Sequence, residues 1–244
     1  MSSPSFGGGM NPSSGFPVFF TEVSRTLGRY EETQNDALSL AEHFQVSEYP
    51  RVLDICCGIG RMSGALNHLG YTVTGIDLSS EQLKIAQSEN PGPTYIVGDM
   101  VSPPDGVFDI ILNIYTSFGY YSTEEEDLSL LPIWRSRLRP GGVLIMELAD
   151  MDRARSRIPT SGILDRHTGT VTEHLRLDWQ SRLLVVDYIS QEREWSCVTR
   201  LFEKEKLVSS LYNSGFSDVS IYGAFDMKCK EPDDNLVLVA RTAF

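Results

Sequence analysis

The stretch VLDICCGIGRMSG carries the residue types that most directly suggest chemistry, and it permits two interpretations. Cys56 and Cys57 are adjacent thiols of the kind that a metal or redox site uses. Asp54, Gly58 and Gly60 instead suit a loop whose backbone closely approaches a bound ligand. The four cysteines of the chain form no CxxC pair and no regular framework, so we expect reduced thiols and no metal site. The aspartate and the glycines therefore carry the stronger prediction.

Further candidate site residues lie in pairs at the ends of other apolar segments, and each pair contains one polar residue. Asp77 and Leu78 follow TVTGI, Asp99 and Met100 follow PTYIVG, and Asn113 and Ile114 close FDIILNI. Ligands of open α/β sheets bind at the carboxyl ends of the strands, where the strand order reverses. We therefore expect these side chains to surround one site together with the glycine loop.

Strand and helix patterns alternate up to about residue 150. Apolar segments without polar alternation predict strands at 51–56, 72–77, 93–99, 108–114 and 143–148, as in a parallel sheet covered on both faces. Two short helices are expected before the first strand. Before the fifth, STEEEDLSLLPIWRSRLRPGG predicts one helix in which Pro132 permits a kink or a late start. This alternation predicts an α/β fold with a doubly wound parallel sheet.

The pattern changes after residue 150. Polar and apolar residues alternate over about 160–200, which predicts an insert of two to four antiparallel strands with one exposed face. A helix over 203–214 and a closing pair of strands follow. We expect a flexible N-terminal arm over 1–15, where Ser, Gly and Pro dominate, and a single domain over 16–244.

The ordered motifs resemble those of the class I S-adenosylmethionine-dependent methyltransferases. The acidic-x-Gly-x-Gly-x-Gly loop of that family is matched by Asp54-x-Cys56-x-Gly58-x-Gly60, in which Cys56 replaces the first glycine. The segment LRPGGVLIMEL is similar to the family's turn before strand five. The resemblance spans residues 51–148 and implies S-adenosylmethionine as the cofactor. It also implies a seven-stranded, mostly parallel sheet with helices on both faces and the antiparallel insert after strand five.

The resemblance gives each predicted cofactor residue a role. Asp54 would order the methionine amino group, Gly58 and Gly60 would line the methionine portion, Asp77 beside Leu78 would hold the ribose, Asp99 and Met100 would hold the adenine, and Asn113 and Ile114 would lie near the sulfonium. Tyr30 or Arg29 is expected to cover the cofactor. A helix N-cap neighbour is the alternative for Asp77, and an ordinary turn aspartate is the alternative for Asp99.

The acceptor pocket is expected between the loop after strand four and the end of strand five. Tyr115 and Tyr120 are candidate catalytic residues, because aromatic faces attract a cationic amine or the sulfonium. Glu147 is the third candidate, because its carboxylate could act as a base or bind a cationic substrate. Packing under a lid is the alternative for the tyrosines, and a solvated carboxylate is the alternative for Glu147. We predict transfer to O or N of a small molecule by in-line attack on the sulfonium methyl.

The composition disfavours some classes of binding partner. A formal net charge of -12 and the lack of basic runs disfavour nucleic acid and anionic membranes. The N-terminus has no secretory pattern, so a cytoplasmic location is expected. The aromatic insert could pack on the main sheet, cover the substrate or form a homodimer contact.

Alternative functions stay open at this stage. A non-catalytic S-adenosylmethionine-binding subunit or sensor would need the same cofactor residues. An aminopropyltransferase would need paired aspartates after strand four, which NIYTSFGYY lacks. A nicotinamide-dependent oxidoreductase is disfavoured because Cys56 and Ser63 depart from the G-x-G-x-x-G motif.

Overall fold

The computed structural model describes residues 16–244, so the arm predicted over 1–15 lies outside the described residues. The helices are α1 (Phe16–Thr26), α2 (Thr33–His43), α3 (Arg61–His68), α4 (Ser80–Glu89), α5 (Glu124–Leu128), α6 (Leu130–Arg135), α7 (Met151–Arg157) and α8 (Lys204–Asn213). The strands are β1 (Arg51–Ile55), β2 (Thr72–Asp77), β3 (Thr94–Val97), β4 (Phe108–Asn113), β5 (Leu138–Leu148), β6 (Ile163–Thr168), β7 (Val171–Asp178), β8 (Leu183–Ser190), β9 (Arg193–Arg200), β10 (Asp218–Tyr222) and β11 (Leu236–Arg241).

The main sheet has seven strands in the order β10-β11-β5-β4-β1-β2-β3. Strands β1 to β5 are parallel to one another. Strand β11 runs antiparallel to both β5 and β10. The strand order reverses between β1 and β4, so the carboxyl ends of these two strands form the switch point. The predicted doubly wound, seven-stranded sheet is confirmed.

Helices cover both faces of this sheet, which explains its uninterrupted apolar strands. On β1, Val52 packs in a cluster that contains Leu66 of α3, whereas Leu53 packs in the cluster of Trp134 of α6. All four side chains are almost completely buried. Burying a residue of this size stabilises the fold by about 2 kcal/mol. Within residues 16–244, no helix combines the length and the apolar character needed to cross a membrane.

Two elements before the insert differ from the sequence prediction. The single helix expected before strand five is two short helices that meet at Ser129, and Pro132 lies in the first turn of the second. Proline is tolerated there because the first-turn N–H groups of a helix have no intrahelical acceptor. Strand β5 begins at Leu138 and not at residue 143, with irregular pairing to β4 near Phe108.

The predicted insert is a separate four-stranded antiparallel sheet in the order β6-β7-β8-β9. One face, called the inner face below, packs on two helices of the same chain. Val171 and Val186 contact the cluster of Phe19 from α1, and Leu177 contacts the cluster of Ala154 from α7. The chain itself therefore covers the inner face, and a homodimer contact through the insert stays a prediction.

The insert is fixed to the loop after β4 by Arg200. The Arg200 Nε atom lies 3.2 Å from Asp127 Oδ2, and a second guanidinium nitrogen donates to the carbonyl oxygen of Ser122 at 3.0 Å. The Arg200 amide donates to the Gly119 carbonyl oxygen at 2.8 Å. Gly119 has φ +93°, and a Cβ atom there would lie 2.5 Å from the Arg200 carbonyl oxygen. Both backbone and charge therefore hold the end of β9 against this loop.

Removing the Arg200 guanidinium should destabilise the fold strongly. The side chains of Arg200 and Asp127 are only 9% and 0% exposed, so Arg200→Met would leave a buried carboxylate without its cation. We expect the free energy of unfolding in urea to fall by about 3–5 kcal/mol. The control is Arg25→Met, which breaks the exposed pair with Glu89 and should cost less than about 1 kcal/mol. Equal losses in the two variants would contradict the anchoring role.

Candidate cofactor and acceptor site

The loop between β1 and α3 turns through left-handed backbone at Cys56, Gly58 and Gly60, whose φ angles are 62°, 54° and 72°. Glycine adopts this region without strain, whereas cysteine does so at a cost of about 1–2 kcal/mol. At Gly60 a Cβ atom would lie 2.3 Å from the Tyr95 hydroxyl, so close packing also excludes a side chain. Cys56 therefore adopts the left-handed backbone expected of the glycine that methyltransferase loops of the resembled family carry at this position.

The two vicinal thiols are not arranged for chemistry. Burial raises the pKa of Cys56 well above its usual value and also raises that of Cys57. Both side chains are thus thiols and not thiolates at neutral pH, and the thiolate is the reactive and metal-binding form. The Cys56 sulfur lies 3.8 Å from the Met100 sulfur. Among the described residues, no group of three His, Cys, Asp or Glu side chains could hold a metal ion.

Asp77 ties the end of β2 to the glycine loop. Its Oδ2 atom accepts the Gly58 amide at 2.9 Å, and its Oδ1 atom accepts the Ser79 amide at 2.9 Å. Burial raises the pKa of this carboxyl group, and the two amides oppose the shift. Each carboxylate oxygen can accept more than one hydrogen bond, so the group retains capacity for two ribose hydroxyls. Leu78 follows at 48% exposure beside this carboxylate.

Asp54 is buried at the end of β1, with 2% exposure. Its Oδ2 atom accepts the hydroxyl of Ser63 on α3 at 2.6 Å. Burial raises the pKa of Asp54 to about 6, while Ser63 and Arg61 act in the opposite direction. Ser63 was noted in the sequence only as a mismatch to a glycine motif. The structure gives it a function, because it orients the carboxylate predicted to order the methionine amino group.

Asp99 and Met100 lie at the end of β3, beside the loop after β4. The Asp99 Oδ1 atom accepts the Val101 amide at 3.1 Å and the Tyr121 hydroxyl at 3.3 Å. Met100 is 7% exposed, and its carbonyl oxygen accepts the Trp134 indole N–H at 2.8 Å. Because Met100 also contacts Cys56, the structure brings the end of β3 next to the glycine loop, as the predicted adenine site requires.

Asn113 and Ile114 have different surroundings although they are adjacent. The Asn113 amide nitrogen donates to the Ser117 carbonyl oxygen at 3.0 Å and to that of Ile55 at 3.4 Å. Its Oδ1 atom is buried and has no hydrogen-bond partner among the described residues. Ile114 is buried in the apolar cluster of α2 and α3. The unpaired Asn113 oxygen, at the end of β4, is therefore suited to a donor that a ligand brings.

Glu147 holds the loop after β4 in a strained conformation. Tyr115 and Thr116 both have positive φ angles, 57° and 60°. The Glu147 carboxylate accepts the Tyr115 amide at 2.6 Å and also the side-chain amide of Asn235. The Glu147 carbonyl oxygen accepts the Thr116 amide at 2.9 Å. Both carboxylate oxygens are thus engaged within the fold, so this geometry positions Tyr115; the predicted catalytic role of Glu147 stays a prediction.

Tyr120 lies between the insert and the glycine loop. Its hydroxyl donates to the Thr116 carbonyl oxygen at 2.8 Å. Burial raises its pKa well above the usual value, and Cys197 and Tyr188 of the insert raise it further, together with Cys56 of the glycine loop. The phenol is therefore protonated at neutral pH and is a hydrogen-bond donor, not a base.

Arg61, at the start of α3, joins the N-terminal segment to this site. Its guanidinium lies 3.9 Å from the ring centre of Tyr30 and 4.4 Å from that of Tyr115. It also donates to the Thr33 hydroxyl at the start of α2. The Tyr115 hydroxyl donates to Asp36 Oδ2 at 3.0 Å. The sequence singled out both tyrosines but missed the arginine between them, whose place directly after the glycine loop was the available signal.

A shallow groove lies elsewhere, on the outer face of the insert. It has a volume of ≈ 360 Å³, and its lining includes Ile163, Leu183, Val185 and Val198. No residue predicted for cofactor or catalysis lines it. The predicted residues converge instead at the carboxyl ends of β1, β2, β3, β4 and β5, beneath the inner face of the insert.

Comparison with known proteins finds a family model that matches part of the chain. Residues 52–142 match the family model described as "Methyltransferase domain". The match begins in β1 and ends in β5. The predicted resemblance to methyltransferases is confirmed over these residues. The matched residues include the glycine loop, Asp77, Asp99 and Asn113, so they span the predicted cofactor site.

Curated relatives match part of this chain. It is 30% identical over 139 residues to the putative methyltransferase YqeM of Bacillus subtilis, covering 55% of this chain and 54% of that protein. It is also 30% identical over 125 residues to the dTDP-3-amino-3,4,6-trideoxy-alpha-D-glucopyranose N,N-dimethyltransferase of Streptomyces venezuelae, covering 50% of this chain and 52% of that protein. The chain thus spans about half the length of these relatives.

Solved structures show the fold over nearly the whole chain. An S-adenosylmethionine-dependent methyltransferase from Clostridium acetobutylicum matches with a TM-score of 0.74 at 16% identity, covering 93% of this chain and 99% of that chain. The sugar N-methyltransferase KedS8 of a Streptoalloteichus species matches with a TM-score of 0.67 at 17% identity, covering 100% and 99%. The predicted α/β methyltransferase fold is confirmed.

Substitutions at Cys56 should report on backbone conformation and not on thiol chemistry. Cys56→Ala and Cys56→Gly should both fold and bind S-adenosylhomocysteine as the wild type does, because neither needs more room. Cys56→Val should lower the melting temperature, because a β-branched residue is strained at positive φ.

The matched control is Cys197→Val, which places the same side chain in strand β9, where β-branched residues are favoured. Thermal unfolding and isothermal titration measure both effects. Loss of turnover in Cys56→Ala with intact cofactor binding would instead assign chemistry to the thiol.

Glu147 should make the free energy of unfolding depend on pH. Burial raises its pKa from 4.5 to about 7, so the folded state binds this proton more tightly than the unfolded state does. Its contribution to stability is fully present below pH 4.5 and is lost as pH rises through about 7.

Glu147→Gln removes this titration and keeps its bond to the Tyr115 amide. The difference in free energy of unfolding between wild type and variant should therefore fall from pH 4.5 to about 7, measured in urea at a series of pH values. Glu48→Gln is the control, because it makes the same change at an exposed position and leaves Glu147 in place. A constant difference for Glu147→Gln would show that this carboxyl group does not titrate in that range.

Proposed function

We propose that this protein transfers a methyl group from S-adenosylmethionine to nitrogen or oxygen of a small molecule. The observation that carries the proposal is the Asp77 carboxylate at the end of β2, which accepts the Gly58 amide and retains hydrogen-bonding capacity on both oxygens. The match of residues 52–142 to a methyltransferase family model supports the same activity. The residues around this carboxylate suit each part of the cofactor.

The chain's own groups would bind the cofactor in three places. Asp54, oriented by Ser63, is a buried acceptor suited to an ammonium group. Asp77 would accept the two ribose hydroxyls. Asp99 would accept the adenine amino group, and Met100 beside it offers an apolar, polarizable contact to the ring.

The cofactor supplies, when bound, an electrophilic methyl group on a positively charged sulfur. Tyr115 and Tyr120 would place their aromatic side chains beside the acceptor and exclude water from it. The Tyr120 hydroxyl keeps its proton, because burial raises its pKa well above the usual range. Asn113 offers its unpaired oxygen to a donor N–H or O–H of the acceptor. These groups orient a nucleophile for in-line attack.

An amine is the acceptor that this set of groups favours. An amine attacks after losing its own proton to solvent, whereas a hydroxyl needs a base close to the reacting oxygen. Tyr120 is a donor, and both Glu147 oxygens already accept hydrogen bonds. The Streptomyces venezuelae relative is named as an N,N-dimethyltransferase of an amino sugar, which supports the same choice. A cytoplasmic location belongs to this proposal, because the four cysteines are free thiols.

Cofactor binding tests the site directly. S-adenosylhomocysteine should bind the wild type in isothermal titration, and Asp77→Ala should weaken that binding at least roughly tenfold, because two hydrogen bonds to a charged acceptor are lost. Asp152→Ala is the control, since this half-buried carboxylate pairs with Lys204 on α8. Equal effects of the two substitutions would reject the ribose assignment, and no binding to the wild type would reject the proposed function.

Turnover separates an enzyme from a cofactor-binding sensor. The wild type should form S-adenosylhomocysteine from S-adenosylmethionine when supplied with a set of small primary and secondary amines. A matched set of alcohols should give less product. Cofactor binding without turnover on any amine or alcohol would favour the non-catalytic alternative.

A further inference from the structure

A row of polar and aromatic residues crosses the inner face of the insert. Arg166 on β6 pairs in register with Glu173 on β7, Glu173 with Tyr188 on β8, and Tyr188 with Trp195 on β9. From the segment after α1, Arg29 donates to Glu173 at 2.8 Å and to the Tyr188 hydroxyl at 3.1 Å. Arg29 therefore forms the ion pair with Glu173. Arg166, at the end of the row, forms no ion pair with Glu173.

Arg153 on α7 is a second arginine whose guanidinium forms no ion pair with a described residue. Burial lowers the pKa of Arg153, as do the nearby charges of Arg157 and Arg166, whereas Glu147 and Asp233 act in the opposite direction. Arg157 is occupied by Asp233, with nitrogen-to-oxygen distances of 2.5 and 2.8 Å. No hydrogen bond or ion pair joins the guanidinium of Arg153 or of Arg166 to any other residue in the described part of the chain.

Packing brings these two arginines to the same place. Leu164 of β6 lies in the cluster of Ala154 on α7. Arg166 lies two residues beyond Leu164 on the same face of the strand, and Arg153 precedes Ala154 on the helix. Both arginines are half-buried. In a chain of net charge -12, two adjacent half-buried guanidinium groups without carboxylate partners are a local excess of positive charge.

This positive charge borders the acceptor side of the site. Arg153 senses the charge of Glu147, whose carboxylate holds the Tyr115 amide. Arg166 lies in the row of Tyr188, and Tyr188 in turn raises the pKa of Tyr120. The inner face of the insert, the loop after β4 and α7 are therefore neighbours of the residues predicted to contact the acceptor.

We propose that Arg153 and Arg166 bind an anionic group of the methyl acceptor, a phosphate or a carboxylate. This inference rests on the proposed function and adds the substrate class, an acceptor with at least one negative charge. Guanidinium groups match the planar, two-oxygen geometry of both anions, and a half-buried site strengthens the attraction. The acceptor's amine or hydroxyl would then lie toward Tyr120, with its anionic end held under β6.

The experiment titrates anions into the protein saturated with S-adenosylhomocysteine. Pyrophosphate and uridine diphosphate are the phosphate probes and citrate is the carboxylate probe, each in a buffer free of competing anions. We expect at least one probe to bind with one-to-one stoichiometry. In Arg153→Gln/Arg166→Gln its association constant should fall at least roughly tenfold with the affinity for S-adenosylhomocysteine unchanged. Binding of pyrophosphate or uridine diphosphate would identify the anionic group as a phosphate, and binding of citrate would identify it as a carboxylate.

Two further variants keep the test decisive. Arg153→Lys/Arg166→Lys retains both charges and should keep binding within a few-fold, even if the Gln pair fails to fold. Arg155→Gln, on the same helix but exposed and paired with Glu203, should bind the probe as the wild type does. The inference is overturned if no probe binds a wild type that binds S-adenosylhomocysteine, or if Arg155→Gln weakens the probe as much as the Gln pair. Failure of the wild type to bind S-adenosylhomocysteine would overturn the proposed function instead.

Discussion

The amide of Gly58 donates a hydrogen bond to the carboxylate of Asp77 across 2.9 Å, and this bond joins the end of β1 to the end of β2. The loop can present that amide only because Cys56, Gly58 and Gly60 all adopt left-handed backbone. The same turn starts α3, which carries Ser63 to Asp54. The arrangement of the cofactor residues therefore depends on a few positive φ angles and on one buried carboxylate that is already partly engaged before any ligand arrives.

The acceptor side is assembled from elements that are distant in sequence. The loop after β4 is held from below by Glu147, which accepts the Tyr115 amide, and from the insert by the amide of Arg200. Segment α1–α2 closes the third side through the stack of Tyr30, Arg61 and Tyr115. Strain in the loop after β4 is thus maintained by hydrogen bonds from several elements, as is common where a site must hold its groups in place.

Charge distinguishes the two sides of this site. On the cofactor side, Asp54, Asp77 and Asp99 are the acceptors that we propose for the hydroxyl and amino groups of the cofactor. On the acceptor side, Arg153 and Arg166 supply donors without partners among the described residues, in a protein that is acidic overall. A carboxylate-rich half and a guanidinium-rich half suit two ligands of different charge, one with a cationic reacting centre and one with an anionic end.

Much of the cofactor site could be predicted from the sequence, because its residues stand at the ends of apolar segments whose pattern is local. Asp77 ends β2 and Asp99 lies two residues beyond the end of β3, and these two strands are parallel neighbours, so the sheet alone brings them together. The break in the helix at Ser129 could not be predicted in the same way, because the helical pattern runs on through Ser129 to Arg135. The donors that engage Glu147 were also invisible, since Asn235 is far along the chain.

The sequence by itself determined the α/β class, the switch point, the glycine loop and the strand ends that carry the predicted cofactor residues, because strand and helix periodicity and turn chemistry act over short distances. Only the tertiary structure decided that Cys56 substitutes for glycine in backbone conformation, that Arg61 lies between two tyrosines, and that Arg153 and Arg166 lie where β6 packs on α7. Those facts depend on side chains brought together from separate elements by the packing of the insert, and no local pattern encodes such contacts.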